Sequence, residues 1–188
     1  MRTRGFFSCA ALVLLLIAIG LLVASMVTTG WLSGSYTLGH VYRKNCNVGL
    51  FTVSIDGEEY DRRRFFRIYK VEFQTTVILQ SFGGGHLLLA TPCYILFLTT
   101  FSGPGFLFYF LFAGLSGIFL LAGSLYFRFN VTVVNLSPDF SWYLSLLASI
   151  FACSSIGVVK TAITRGELET EPKPDNVDIA TNVQHIRL

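Results

Sequence analysis

The sequence predicts an all-α membrane protein, a bundle of four transmembrane helices carrying a small extracellular β-sheet formed by its first loop. Three observations predict it. Hydrophobic residues make up 53% of the chain and charged residues 13%, against roughly 25% charged in an ordinary soluble domain. No residue from Gly5 to Tyr42, and none from Phe73 to Phe127, carries a charge. A polar island, 31–74, interrupts this apolar sequence with seven of the fourteen Lys and Arg and five of the eleven Asp and Glu.

A hydrocarbon core about 30 Å thick needs about 20 apolar residues per helix, and four stretches meet that length. The first is 6–27. A signal peptide is the competing reading for an N-terminal apolar run, but its core is only about 7–15 residues long, and no clear small-x-small cleavage site lies between the end of this run and Trp31. The long uncharged run is divided at Ser102-Gly103-Pro104-Gly105, a turn signal, into spans 75–100 and 106–127. The fourth span, 140–163, opens at Ser137-Pro138-Asp139, with Pro138 near the first turn and Asp139 at the positive helix end. Residues 1–163 therefore form the membrane domain. Beyond it, 164–188 has two prolines, five acids and few large apolar residues, the composition of a disordered tail. Six basic residues fall on the side of the termini and eight on the other, so the positive-inside rule does not orient the chain.

Within the island, 48–55 alternates, placing Phe51, Val53 and Ile55 on one face, the period-two pattern of a half-buried strand. Asp56-Gly57 suits a two-residue hairpin turn. Phe65, Tyr69, Val71 and Phe73 then read as a returning strand merging into the second span, and 35–42 as a further strand. On this reading Phe51 is a buried aromatic.

Several residues invite a chemical reading. Cys46 is the one cysteine of the loop, a candidate for pairing with another chain in an oxidising compartment; the alternative is a free, partly buried thiol. His86 is an ionisable group at membrane depth, with a neutral imidazole hydrogen-bonded to a neighbouring helix as the commoner outcome. Ala113 and Gly117 have small-xxx-small spacing, suited to packing the third helix on the second. Arg62, Arg63 and Arg64 are the densest charge cluster, suited to an acidic partner face or simply a solvated flank. Ile186, Arg187 and Leu188 fit the ending that adds a strand to a PDZ groove. The three histidines, His40, His86 and His185, fall in three different compartments, and Gly83-Gly84-Gly85 lacks the lysine of a phosphate loop. The expectation is a protein that is not an enzyme, with no cofactor, no metal and no nucleic-acid partner.

Four spans, a long first loop, a short third loop and Trp31 just after the first span resemble the claudin superfamily, which includes the peripheral myelin proteins and the calcium-channel gamma subunits. Gly49-Leu50-Phe51 stands where that family carries Gly-Leu-Trp. Ser54 occupies the usual place of its first loop cysteine, and the loop disulfide is missing as a unit. Phe65, Phe66 and Arg67, with Ile68, Tyr69 and Lys70, are similar to the aromatic-and-Arg stretch of gamma-type members. The resemblance implies a multi-pass plasma-membrane protein with both termini cytoplasmic. It also implies an accessory subunit of a larger channel or receptor, with a junctional protein meeting its own copies in cis or trans as the alternative. The loop residues Phe51, Arg62, Arg63, Arg64, Phe65, Phe66 and Arg67 are the expected partner contacts.

Overall fold

The computed structural model describes residues 2–38, 42–61, 70–100, 103–131 and 136–164. Among them are four long helices, α1 (Arg2–Val27), α2 (Lys70–Thr100), α3 (Gly103–Asn130) and α4 (Phe140–Thr164), and five strands, β1 (Leu32–Leu38), β2 (Tyr42–Val48), β3 (Thr52–Ile55), β4 (Glu58–Asp61) and β5 (Leu136–Pro138). All four helices are long and apolar enough to cross a membrane. The chain is thus mostly helical with a small antiparallel sheet.

The helices gain their length beyond the expected spans. α2 starts at Lys70 rather than residue 75, with Glu72 in its first turn, where the helix dipole favours an anion. α3 starts at Gly103, so the Gly-Pro-Gly turn signal is itself the first helical turn. Pro104 is tolerated there because first-turn N–H groups lack intrahelical acceptors. α2 packs on α3 and α1 on α4, with α3 against α4 closing the bundle. At the end away from the sheet, Ala11 and Leu15 meet Leu87, Ala90, Tyr94, Phe97, Tyr109, Ala113, Ala152, Val159 and Ala162.

Gly117 does not serve the contact expected of it. A Cβ on Gly117 would strike Cys153 Sγ and approach Ser149 O of α4. The small face of α3 therefore receives α4, and the α2–α3 seam is set instead by Gly83, which accommodates Leu120. A second device in the apolar bundle is polar. Gln80 of α2 donates from Nε2 to Leu120 O and Ser124 Oγ of α3, both at 3.2 Å, and accepts at Oε1 from Ser145 Oγ of α4 at 3.0 Å. Trp142 Nε1 donates to Ser124 O at 2.8 Å. These bonds link three helices at one level, and in a low-dielectric interior they hold register as well as contact.

The sheet has the order β4-β3-β2-β1-β5, antiparallel throughout. It corrects the expected strands at four points. The run 35–42 is not one strand but the end of β1 and the start of β2, paired Leu38 with Tyr42. The run 48–55 is cut after Val48, because Gly49 N donates to Thr52 O at 2.8 Å and closes a tight turn. The strand after Asp56-Gly57 is Glu58–Asp61, while Val71 and Phe73 belong to α2; Phe65 and Tyr69 lie outside the described residues. Pro138 ends a strand instead of starting a helix. It is tolerated on β5 because β5 is an edge strand, the place in a sheet where a missing N–H costs no ladder bond.

The Asp56-Gly57 turn is as expected, with φ of 52° and 89°, the left-handed pair of a type I′ hairpin. Asp56 Oδ1 also accepts from Asn45 N at 3.0 Å, which fastens the turn to β2.

Gly49 has a packing reason to be glycine. A Cβ there would lie 2.9 Å from Thr28 O and 3.0 Å from Thr29 Cα, backbone atoms that cannot swing away. Gly49→Ala is expected to lower stability by about 1–3 kcal/mol, read as a lower melting temperature of the detergent-solubilised chain. Gly20→Ala, on an exposed position of α1 with nothing within 4 Å, should show no loss.

Candidate functional site

The surface most suited to recognition is the sheet, and its orientation follows from strand register. Leu32, Cys46, Val48 and Val53 share one face, at most 4% exposed. They close over Trp31, Leu50, Phe73, Phe127 and Val131 in one cluster, so this face is seated on the bundle. The opposite face carries a row across all five strands, Ser137, Ser33, Asn47, Ser54 and Glu59, each paired with the next. Asn47, Glu59 and Ser137 are exposed and Ser33 and Ser54 half-buried. The outer face is therefore a carpet of short hydrogen-bonding side chains, with Asp56, Glu58 and Glu59 exposed along the β3–β4 hairpin.

Trp31 fastens this platform. Its ring is fully buried, and its Nε1 donates to Ser25 O near the end of α1 at 2.7 Å. Its backbone N donates to Val48 O at 2.9 Å. The ring meets Phe127 edge-on at 4.9 Å, and Phe127 meets Phe73 edge-on at 5.2 Å, so α1, α2, α3 and the sheet share one aromatic contact. Asp139 N and Ser141 N donate to Trp31 O and Gly30 O at 3.2 and 2.9 Å, which brings in the start of α4.

The Gly49-Leu50-Phe51 stretch is divided in role. Leu50 is fully buried, and Phe51 is 49% exposed at the turn between β2 and β3. The expectation of a buried Phe51 is thus overturned. Strand alternation does not run through the turn, so the buried position moves one residue toward Val48. Among the described side chains of the sheet and its turns, Phe51 and Tyr60, 38% exposed, are the large exposed apolar ones. Tyr60 donates its hydroxyl to Glu58, and that bond and the nearby carboxylate push its ionisation upward. Arg62, Arg63, Arg64, Phe65, Phe66 and Arg67, expected to contact a partner, lie outside the described residues, as do Ile186, Arg187 and Leu188.

Cys46 is a free thiol 4% exposed on the central strand β2. A bridge to another chain would require the sheet to open first, and burial pushes the thiol's ionisation upward. His86 bonds within its own helix, Nδ1 to Phe82 O at 2.7 Å, and not to a neighbouring helix. Its ring lies against Phe112 and Phe119 of α3. No group of three or more His, Cys, Asp or Glu poised to hold a metal occurs among the described residues. Strand β2 escaped sequence reasoning because Tyr42–Val48 turns only Cys46 and Val48 into the described core. The Gln80 network escaped it because a lone glutamine in an apolar helix does not name its partners.

No protein-family model matches the chain, and no curated protein matches it.

Two outcomes follow from this geometry. Leu50→Ala should cost about 2–5 kcal/mol, as truncation of a buried leucine does, and lower the melting temperature. Phe51→Ala should stay within about 0.5 kcal/mol of wild type; thermal melts of both detergent-solubilised variants check the contrast. Cys46 should react slowly with a maleimide in the native protein and quickly in denaturant. Non-reducing electrophoresis should show no dimer that Cys46→Ser abolishes.

Proposed function

We propose that this chain is a multi-pass plasma-membrane protein, with both termini cytoplasmic and the sheet outside. In this reading it acts without catalysis, as an accessory subunit of a larger channel or receptor. The observation that carries the reading is the seating of a five-stranded sheet on the end of four helices by a single aromatic cluster. A partner gripping the outer polar face is thereby coupled to whatever the spans touch in the bilayer. The exposed apolar side chains Ile78, Leu88, Leu89, Leu111 and Ile118 on α2 and α3 supply the lateral surface. Gly117 faces α4 and Ala113 is buried in the bundle, so neither is part of that surface. The four-span plan, Trp31 and Gly49-Leu50-Phe51 support kinship with the claudin superfamily, and within it the gamma-type subunits. Modulation then requires that the sheet and spans bind two states of the partner with different affinity.

An epitope inserted at Asp56-Gly57 should stain on unpermeabilised cells, and staining only after permeabilisation overturns the topology. In contacting cells the tagged chain should spread over the surface and co-purify with one larger membrane protein. Concentration at cell contacts, with side-by-side polymers, favours a junctional role instead. Replacement of Arg62, Arg63 and Arg64 by Glu should leave surface delivery near normal and weaken partner capture in a salt-dependent way.

A further inference from the structure

We propose that the cleft between the start of α3 and the end of α4 holds an anionic membrane phospholipid, with its phosphate at Lys160 and one acyl chain along the groove. The proposal rests on the bundle lying in a bilayer. The cleft has a volume of about 750 Å³ and is lined by Gly103, Phe106, Leu107 and Phe110 of α3 and Lys160, Ile163 and Thr164 of α4. That size lies in the usual range of ligand sites, about 300–1,000 Å³.

Its chemistry is graded along its length. α3 begins at Gly103 and α4 ends at Thr164, so both lie at the bundle end away from the sheet. Lys160 is one turn inside the end of α4, and Phe106 about one turn inside the start of α3. At 1.5 Å per residue, the two sit at about the same depth. From there the groove runs inward on an apolar wall, with Phe106 and Phe110 one turn apart and their rings 6.2 Å from centre to centre. Ile163 forms part of the other side, and none of the described lining residues is acidic. A lysine stem can lie along such a wall while its ammonium reaches the interface.

The occupant follows from this gradient. A small free anion would leave the apolar wall unused, and in a lipid without net charge the headgroup's own ammonium would already offset the phosphate and repel the lysine. An anionic phospholipid satisfies both, and basic pockets between transmembrane helices are established headgroup sites in general.

The test is native mass spectrometry of the full-length detergent-solubilised chain, titrated separately with phosphatidylserine and phosphatidylcholine. Wild type should retain phosphatidylserine preferentially. Lys160→Gln should lower that preference about fivefold, the factor expected for one juxtamembrane lysine near an anionic surface. Lys160→Arg should restore it. Leu107→Trp, at a 62% exposed position on the groove wall, should reduce retention without lowering the melting temperature. Equal retention of the two lipids by wild type, or unchanged preference in Lys160→Gln, overturns the site. So does displacement of the lipid by glycerophosphoserine at equal concentration, because the acyl groove would then contribute nothing. Alkaline carbonate extraction of expressing cells separates the two levels. A chain that stays in the pellet but shows no lipid preference loses only this site. A chain released to the supernatant loses the membrane reading as well.

Discussion

The burial of Trp31 is the contact on which the rest of the structure depends. A ring of that size sits at the exit of α1, fully enclosed, and it must satisfy its one N–H within the protein. Ser25 O does so from the preceding turn, which determines how the chain leaves the helix. Once the ring is placed, Phe127 meets it edge-on and Phe73 in turn meets Phe127 edge-on, so α3, and α2 through it, are set by the same residue. The sheet follows, because the Trp31 backbone begins the pairing with Val48.

The bundle beneath faces a different constraint in the proposed membrane setting. Helices in hydrocarbon gain little from burying apolar surface against one another, so there small residues and hydrogen bonds would decide which faces meet. Gly83 under Leu120 and Gly117 against α4 bring the backbones close. Gln80, Ser124 and Ser145 then fix the level at which three helices cross. Gly123 belongs to the same device, since a Cβ there would lie 3.0 Å from Gln80 Nε2 and 3.1 Å from Leu79 Cβ. The end of α1 and the start of α4 are stitched by Thr28, which donates to Ala24 O and contacts Ser141 Oγ at 2.5 Å. These contacts tie the body together in ways that a hydropathy profile does not record.

Such ties matter to the proposed role because an accessory subunit acts by transmitting a difference in binding. The outer polar row of the sheet and the outward faces of α2 and α3 are separate surfaces joined by one aromatic core. A flexible tether between them would let either surface bind without consequence for the other. The lipid cleft lies at the opposite end of the same bundle, between α3 and α4, where a bound headgroup would bear on the packing that carries that coupling.

The sequence by itself determined the number of helices, the existence of a sheet in the first loop and the Asp56-Gly57 turn. Each of these is a local property, since apolar length, alternation and left-handed turn chemistry are all written in consecutive residues. It also located Trp31 and Gly49 as special, through their resemblance to a known pattern. Tertiary structure alone decided that Leu50 is inside and Phe51 outside, because the turn closed by Gly49 and Thr52 resets the alternation. It alone recruited 136–138 as a fifth strand, since β5 has no pattern of its own and is held by pairing with β1, more than a hundred residues earlier in the chain. It assigned the small face of α3 to α4 and not to α2, for the spacing of Ala113 and Gly117 states that a helix comes close but not which one. Only the closed bundle, in which a lysine near the end of one helix meets the first turn of another, has a cleft there.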